Sequence, residues 1–173
     1  MRKNHRFVIG LWLRVRGGNV VKIIDRVKNL FKLSQGEYVA PDKVQKILMN
    51  SKYVNQLFLH GDSLYNYAIA IVYPDLNECV AFLKDNKKMG DIDYDKITFD
   101  DLCGNKTMED EIVKDCNIVG RKLGLKGFEL PKKIHLVKEP FSVESQIVTP
   151  TLKIRRHNAK KYFMEEIKKL YEI

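Results

Sequence analysis

The sequence predicts an α+β domain: a small N-terminal β-hairpin followed by a central three-stranded sheet flanked by helices. Strand-like and helix-like runs follow one another in mixed order, which suits a sheet covered by helices. The run Tyr67–Tyr73 (YAIAIVY) is apolar on both faces and so belongs at the centre of that sheet. A hydrophobic content of 45% over 173 residues is ample for one core.

Residues 1 to 19 form a basic arm ending in the turn Gly17-Gly18-Asn19, and residues 20 to 173 form the main domain. Val20–Ile24 is rich in β-branched residues and reads as a strand, and Leu30–Leu33 alternates as a second. The two pair as a hairpin whose tight link carries Asp25, Arg26, Lys28 and Asn29. Gly36 allows a backbone turn, and Pro41 suits the first turn of a helix. Val44, Ile47 and Leu48 give that helix one apolar stripe as far as Asn50. Val54–His60 and Tyr67–Tyr73 read as a hairpin across Gly61-Asp62-Ser63, with Pro74 as its stop.

A helix is expected over Leu76–Asn86, then a polar, acid-rich connection over Lys87–Asp101. Met108–Leu123 has helical spacing at Ile112, Cys116 and Val119 and ends towards Gly124. Ile134–Val137 is a short strand. The last helix, Arg156–Tyr171, sets Tyr162, Phe163, Ile167 and Leu170 on one side and lysines on the other.

A formal charge of +9 points to anionic partners: nucleic acid, phosphorylated small molecules or an anionic membrane surface. No run interleaves base-stacking aromatics with arginines, which argues against nucleic acid. Cys79, Cys103 and Cys116 are odd in number and lack CxxC spacing, so they read as reduced intracellular thiols. His5, His60, His135 and His157 make no HxxxH or HxH pattern, and no metal site is expected. Arg2, Lys3, Arg6, Arg14 and Arg16 precede the first acid, Asp25, as in an organelle presequence. The apolar run Phe7–Leu13 is nevertheless short for a secretory segment, and no small-residue cleavage pattern follows it. No stretch reaches the roughly 20 apolar residues of a membrane span.

Two places could carry chemistry. Ile24–Pro41 (IDRVKNLFKLSQGEYVAP) is either a solvated surface loop or an anion site. Val148–Arg156 (VTPTLKIRR) is a loop broken by Pro150 ahead of the last helix. There Lys153 could bring a point charge to phosphate or carboxylate oxygens. Cations at a helix start oppose the helix dipole, and that conflict favours a use beyond solvation. Glu37 reads as a structural partner of Lys32 or Lys43, His60 as a satisfied histidine and Cys116 as core. No GxxxxGK[ST], GxGxxG or Ser/His/Asp arrangement supplies a self-contained active site.

Taken together, the two segments resemble the C-terminal domain of long-chain fatty acyl-CoA synthetases, within the AMP-forming adenylating superfamily. The carriers are DRxKNxFKLSQGEYVAP at Asp25–Pro41 and TPTLKIRR at Thr149–Arg156, with Gly127-Phe128-Glu129 and Glu139-Pro140-Phe141-Ser142 in support. The likeness runs from Gly10-Leu11-Trp12-Leu13 to the C-terminal end. Met1–Val8 stands where the family has a YxTGD-like segment, and Arg14–Gly18 where it has a proline-asparagine-glycine turn.

The resemblance implies the lid domain of that superfamily, swinging on a hinge between two half-reactions. Fatty acid and ATP give acyl-adenylate and pyrophosphate, and the CoA thiol then displaces AMP. It implies Arg26 at the adenylate ribose, Lys28 at the hinge and Lys153 as the catalytic lysine bridging carboxylate and phosphate oxygens. Lys32, Ser34, Gln35, Gly36 and Glu37 would form the loop entering the site for thioester formation. ATP, CoA and Mg2+ would be held mostly by an N-terminal adenylating domain, present in cis or in trans.

The expectation is therefore a detached lid, either a truncated paralogue or a fragment of a longer product, inactive alone. Its expected location is intracellular, cytoplasmic or associated with the endoplasmic reticulum or an organelle membrane. A second reading keeps the fold but not the chemistry: a basic regulatory module that binds membrane or protein.

Overall fold

The computed structural model describes residues 5–8, 11–16, 20–26, 29–86 and 93–172, the first three segments as backbone strands. Those strands, β1 (His5–Val8), β2 (Leu11–Arg16) and β3 (Val20–Arg26), form one antiparallel sheet in the order β1-β2-β3. The strand expected over Val20–Ile24 is present, but its partner is β2, with Val15 opposite Val21.

The second expected strand shrinks to β4 (Phe31–Lys32), which pairs with β5 (Tyr38–Val39). The hairpin predicted across Asp25–Asn29 is thus replaced by one across residues 33–37. The physical reason is Gly36, at φ 88°, a left-handed value that closes the turn at little steric cost. Gly36 N–H donates to the Leu33 carbonyl and Leu33 N–H to the Glu37 carbonyl, both at 2.9 Å.

Helix α1 (Pro41–Leu48) begins at proline, where the missing N–H is not needed. The main sheet follows: β6 (Val54–His60), β7 (Ala68–Pro74) and β8 (Pro131–Leu136), in the order β6-β7-β8. β6 and β7 are antiparallel, whereas β7 and β8 are parallel. The connection between the parallel strands contains α2 (Leu76–Asp85), α3 (Phe99–Leu102) and α4 (Lys106–Lys122). Asp75 caps α2 by accepting from Glu78 N–H, and Asn105 caps α4 by accepting from Met108 N–H. The polar stretch expected as a plain connection thus contains α3 and a 3-10 turn at Tyr94–Lys96, with 87–92 outside the described residues.

β7 lies between two cores. Ala68, Ala70 and Val72 face a cluster with Val44, Leu48, Leu83, Met108, Ile112 and Cys116. Ile69 and Ile71 face another with Phe58, Phe141, Phe163, Ile167 and Tyr171. This is the period-two alternation of a strand with both faces covered.

The single C-terminal helix expected over Arg156–Tyr171 is two helices, α5 (Arg156–Tyr162) and α6 (Met164–Tyr171), meeting at Phe163. The Phe163 ring is buried between Phe58 and Phe141, at 6.3 and 5.4 Å between ring centroids. Phe163 N–H still donates to Ala159 O and Ile167 N–H to Phe163 O, so the apolar stripe continues through the break. It runs Ala159, Phe163, Ile167, Tyr171; Tyr162, expected on it, is 52% exposed.

Ile71→Ala, at a fully buried site on β7, should cost about 2–5 kcal/mol through lost burial and a cavity. Leu64→Ala, on an exposed loop, should stay within about 0.5 kcal/mol. Urea denaturation of the two variants checks this contrast.

Candidate functional site

The first candidate loop, residues 33–37, is docked as well as turned. Ser34 N–H donates to the Tyr65 carbonyl at 2.9 Å, and Gln35 Nε2 to the Asn66 carbonyl at 3.1 Å. At its base Phe31 packs over Gly61 so closely that a Cβ there would lie 2.1 Å from the ring. The loop therefore rests on the β6–β7 connection and not on the body of α1. Lys32 is exposed, with Nζ 5.8 Å from the centre of the Tyr38 ring. Ser34, Gln35, Gly36 and Glu37 are all exposed as well.

Glu37 does not take the partner expected of it. Lys43 reaches Glu129 instead, at 2.9 Å, and Glu129 Oε2 also accepts from Lys126 N–H. Glu129 is nearly buried, so a carboxylate there requires a cation and an N–H close by.

The second loop is a small hairpin. Val148 and Ile154 form an antiparallel bridge, Thr149 N–H donates to Lys153 O at 2.8 Å, and Lys153 N–H to Thr149 Oγ1 at 3.1 Å. Leu152, at the turn, has φ 57°, a left-handed value that is costly for a branched residue, and its side chain is 74% exposed. Lys153 follows it, exposed, and its ammonium has no partner among the described residues.

Lys32 and residues 34–37 thus share one hairpin, and Lys153 occupies another. Arg26 is the last residue of β3, opposite Leu11. Lys28, the expected hinge, lies outside the described residues.

Between the loops sits a residue whose role sequence reasoning missed. Arg156, the first residue of α5, donates to Gln45 Oε1 at 3.0 Å and to the Leu59 carbonyl. Its guanidinium also lies 5.2 Å from the centre of the Phe58 ring. Gln45 Oε1 in turn accepts from Leu59 N–H at 3.1 Å. Leu59 lies on β6, an outer strand of the sheet, and its backbone groups are satisfied by these two side chains. Arg156 therefore joins the helix after the first hairpin to the helix after the second. The signal was present in the sequence as a cation at a helix start, against the dipole. The structure offsets that conflict with a carbonyl, an amide oxygen and a ring.

His60, at the end of β6, is buried between Phe58 and Tyr171, with ring centroids 6.1 and 6.3 Å away. Burial first, then the charges of Lys160 and Arg156, lower its pKa to about 4, opposed by Asp62. Burial pushes the Cys79 and Cys116 thiols up to about 12, which makes them packing groups and not nucleophiles. Among the described residues no three His, Cys, Asp or Glu side chains converge as a bound metal would need. No helix among them is long and apolar enough to cross a membrane.

No family model matches the chain. It is 43% identical over 171 residues to fatty acyl-CoA synthetase B of Dictyostelium discoideum, a match covering 96% of this chain and 23% of that protein. It is 42% identical over 168 residues to long-chain-fatty-acid–CoA ligase 5 of Rattus norvegicus, covering 97% and 23% respectively. Among solved structures, the adenylation domain of a carboxylate reductase from Mycobacterium chelonae superposes with a TM-score of 0.74 at 26% identity. That match covers 96% of this chain and 23% of the other. The adenylation and carrier didomain of a carboxylic acid reductase from Segniliparus rugosus, in complex with AMP, gives 0.74 at 25% identity, covering 94% and 20%. The chain thus spans 23% of the length of the curated relatives it matches.

Arg156→Met keeps the apolar stem but leaves Leu59 O and Gln45 Oε1 without their charged donor. It should cost about 1.5–3 kcal/mol in urea denaturation, against less than about 0.5 for Arg155→Met at an exposed position. The His60 shift predicts a pH dependence. Between pH 6.5 and about 4 the unfolded chain binds a proton that the folded chain refuses, so stability falls as pH falls through that window. His60→Gln should flatten that part of the stability–pH curve; an unchanged curve would count against the buried neutral imidazole.

Proposed function

We infer that this chain, homologous to a C-terminal part of the long-chain fatty acyl-CoA synthetases, works as the mobile lid of a long-chain fatty acid–CoA ligase. The observation that carries the reading is the separation of two exposed loops onto two hairpins of one domain. One offers an unpartnered ammonium, Lys153, and the other a glycine turn docked on the β6–β7 connection. A lid that acts twice needs two such faces.

In the first half-reaction a fatty-acid carboxylate oxygen attacks the α-phosphorus of ATP, and pyrophosphate leaves. Negative charge gathers on the carboxylate and phosphate oxygens during that step. Lys153 supplies a compact cation to both, held out by the left-handed turn at Leu152. In the second half-reaction the CoA sulfur attacks the acyl carbonyl carbon, AMP leaves with the bonding pair, and the thiol proton passes to solvent. Residues 33–37 then face the site. An added Cβ on Gly36 would touch nothing within 4 Å, so its backbone is open to close approach. Gln35 is committed to Asn66 and acts by holding the loop, which leaves Lys32, Ser34 and Glu37 as the groups available to CoA.

On this reading Arg26 contacts the adenylate ribose, and residues 29–172 pivot near Lys28. ATP, CoA, Mg2+ and the fatty acid are bound mainly by an adenylating N-terminal domain. The assembly is intracellular, in the cytoplasm or at an organelle membrane.

The test mixes the chain with a synthetase from which the lid has been deleted. Wild type should restore acyl-CoA formation, and the chain alone should form none. Lys153→Ala should slow pyrophosphate release by on the order of 10²–10³-fold while affecting CoA capture of a supplied acyl-adenylate much less. Equal rescue by both proteins would reject the catalytic role of Lys153, and no effect of either on the lid-deleted synthetase would favour a non-catalytic interaction module.

A further inference from the structure

The 33–37 loop owes its position to contacts far from it in sequence. Its two outward bonds, Ser34 N–H to Tyr65 O and Gln35 Nε2 to Asn66 O, end on the β6–β7 connection, residues 61–67. That connection is itself fastened to the C-terminal helices. The Tyr65 and Tyr171 rings stack with centroids 3.9 Å apart and planes 14° from parallel. Tyr171 Oη donates to the Tyr67 carbonyl at 3.3 Å, and Lys160 Nζ lies 3.7 Å from Asp62 Oδ2. Tyr171 is 6% exposed although it stands at the last turn of α6.

A terminal helical turn frays readily, and burying a tyrosine there against a loop costs side-chain entropy. Core filling alone would be met by an aliphatic side chain. The parallel ring against Tyr65, one residue from the carbonyl that Asn66 gives to Gln35, is the arrangement of a clamp.

We propose that Tyr171, through Tyr65, is a positioning residue for the thioester-forming step: the last turn of α6 sets the placement of residues 33–37. The proposal rests on the lid reading above. It assigns to the last helix an effect on one half-reaction only, because Lys153 is held by its own hairpin bonds at Thr149.

The experiment has two arms. Hydrogen exchange on the chain alone reads the clamp directly. Tyr171→Ala should speed exchange at the Ser34 amide on the order of 10-fold or more, while the Ile71 amide in β7 stays protected. Tyr171→Phe retains the stacked ring and loses only the 3.3 Å bond to Tyr67 O, so exchange at Ser34 should stay within about 3-fold of wild type. Unchanged exchange at Ser34, or equal acceleration at Ser34 and Ile71, overturns the clamp.

The second arm adds the lid-deleted synthetase. Tyr171→Ala should slow acyl transfer from a supplied acyl-adenylate to CoA on the order of 10–10²-fold and leave pyrophosphate release within about 2-fold; a small misplacement produces losses of that size. Parallel loss in both half-reactions would reduce Tyr171 to a packing residue and overturn the assignment. If wild-type chain restores no acyl-CoA formation, the ligase reading falls, and the exchange arm by itself decides the clamp.

Discussion

β7 has no polar side, and most of the architecture follows from that. Ala68, Ala70 and Val72 require cover on one face of the sheet, Ile69 and Ile71 on the other. A three-stranded sheet buried this way is stable only with helices on both faces. α1, α2 and α4 serve the first face, and the Phe141–Val148 segment with α5 and α6 serves the second. Each face is reached by its own loop. The Gly36 hairpin leads into α1, and the Lys153 hairpin leads into α5, so covering a two-sided strand also separates the two candidate loops.

The small residues on β7 matter to this geometry. Ala68 and Ala70 leave room for Leu48, Met108 and Ile112, whereas Ile69 and Ile71 project towards the rings of Phe58, Phe141 and Phe163. Arg156 then crosses at the outer strand, where Leu59 would otherwise present bare backbone groups. One guanidinium meets an edge carbonyl, the Gln45 amide oxygen and the Phe58 face. Its charge makes each hydrogen bond stronger than a neutral one would be. Both helices that follow the candidate loops are thereby referenced to the same strand. The two loops are thereby tied to one rigid junction through the helices that follow them.

Much of the fold was legible because periodicity survives folding. β6 has the limits expected from sequence, and β7, α1, α2 and α4 differ by a few residues at their ends. The errors have physical causes. Val20–Ile24 and Leu30–Leu33 are both strand-like, and proximity in sequence made them look like partners. A glycine four residues beyond β4 let Phe31–Lys32 pair with Tyr38–Val39, while β2 offered β3 a longer ladder. Tyr162 and Tyr171 both fall near an apolar stripe, and only the course of the chain past Phe163 buries the second and exposes the first.

By itself, the sequence determined the fold class, the two loops and the kinship with long-chain acyl-CoA synthetases, because apolar spacing and short motifs are local properties of a chain. Only the tertiary structure decided what each loop rests on. Ser34 meets Tyr65, Gln35 meets Asn66, Tyr65 meets Tyr171 and Arg156 meets Leu59, at separations of roughly 30 to 110 residues. Such contacts leave no periodic trace. They depend on which strand lies at the edge of the sheet and which helix packs on which face, and those are decided when all the apolar surfaces are buried together.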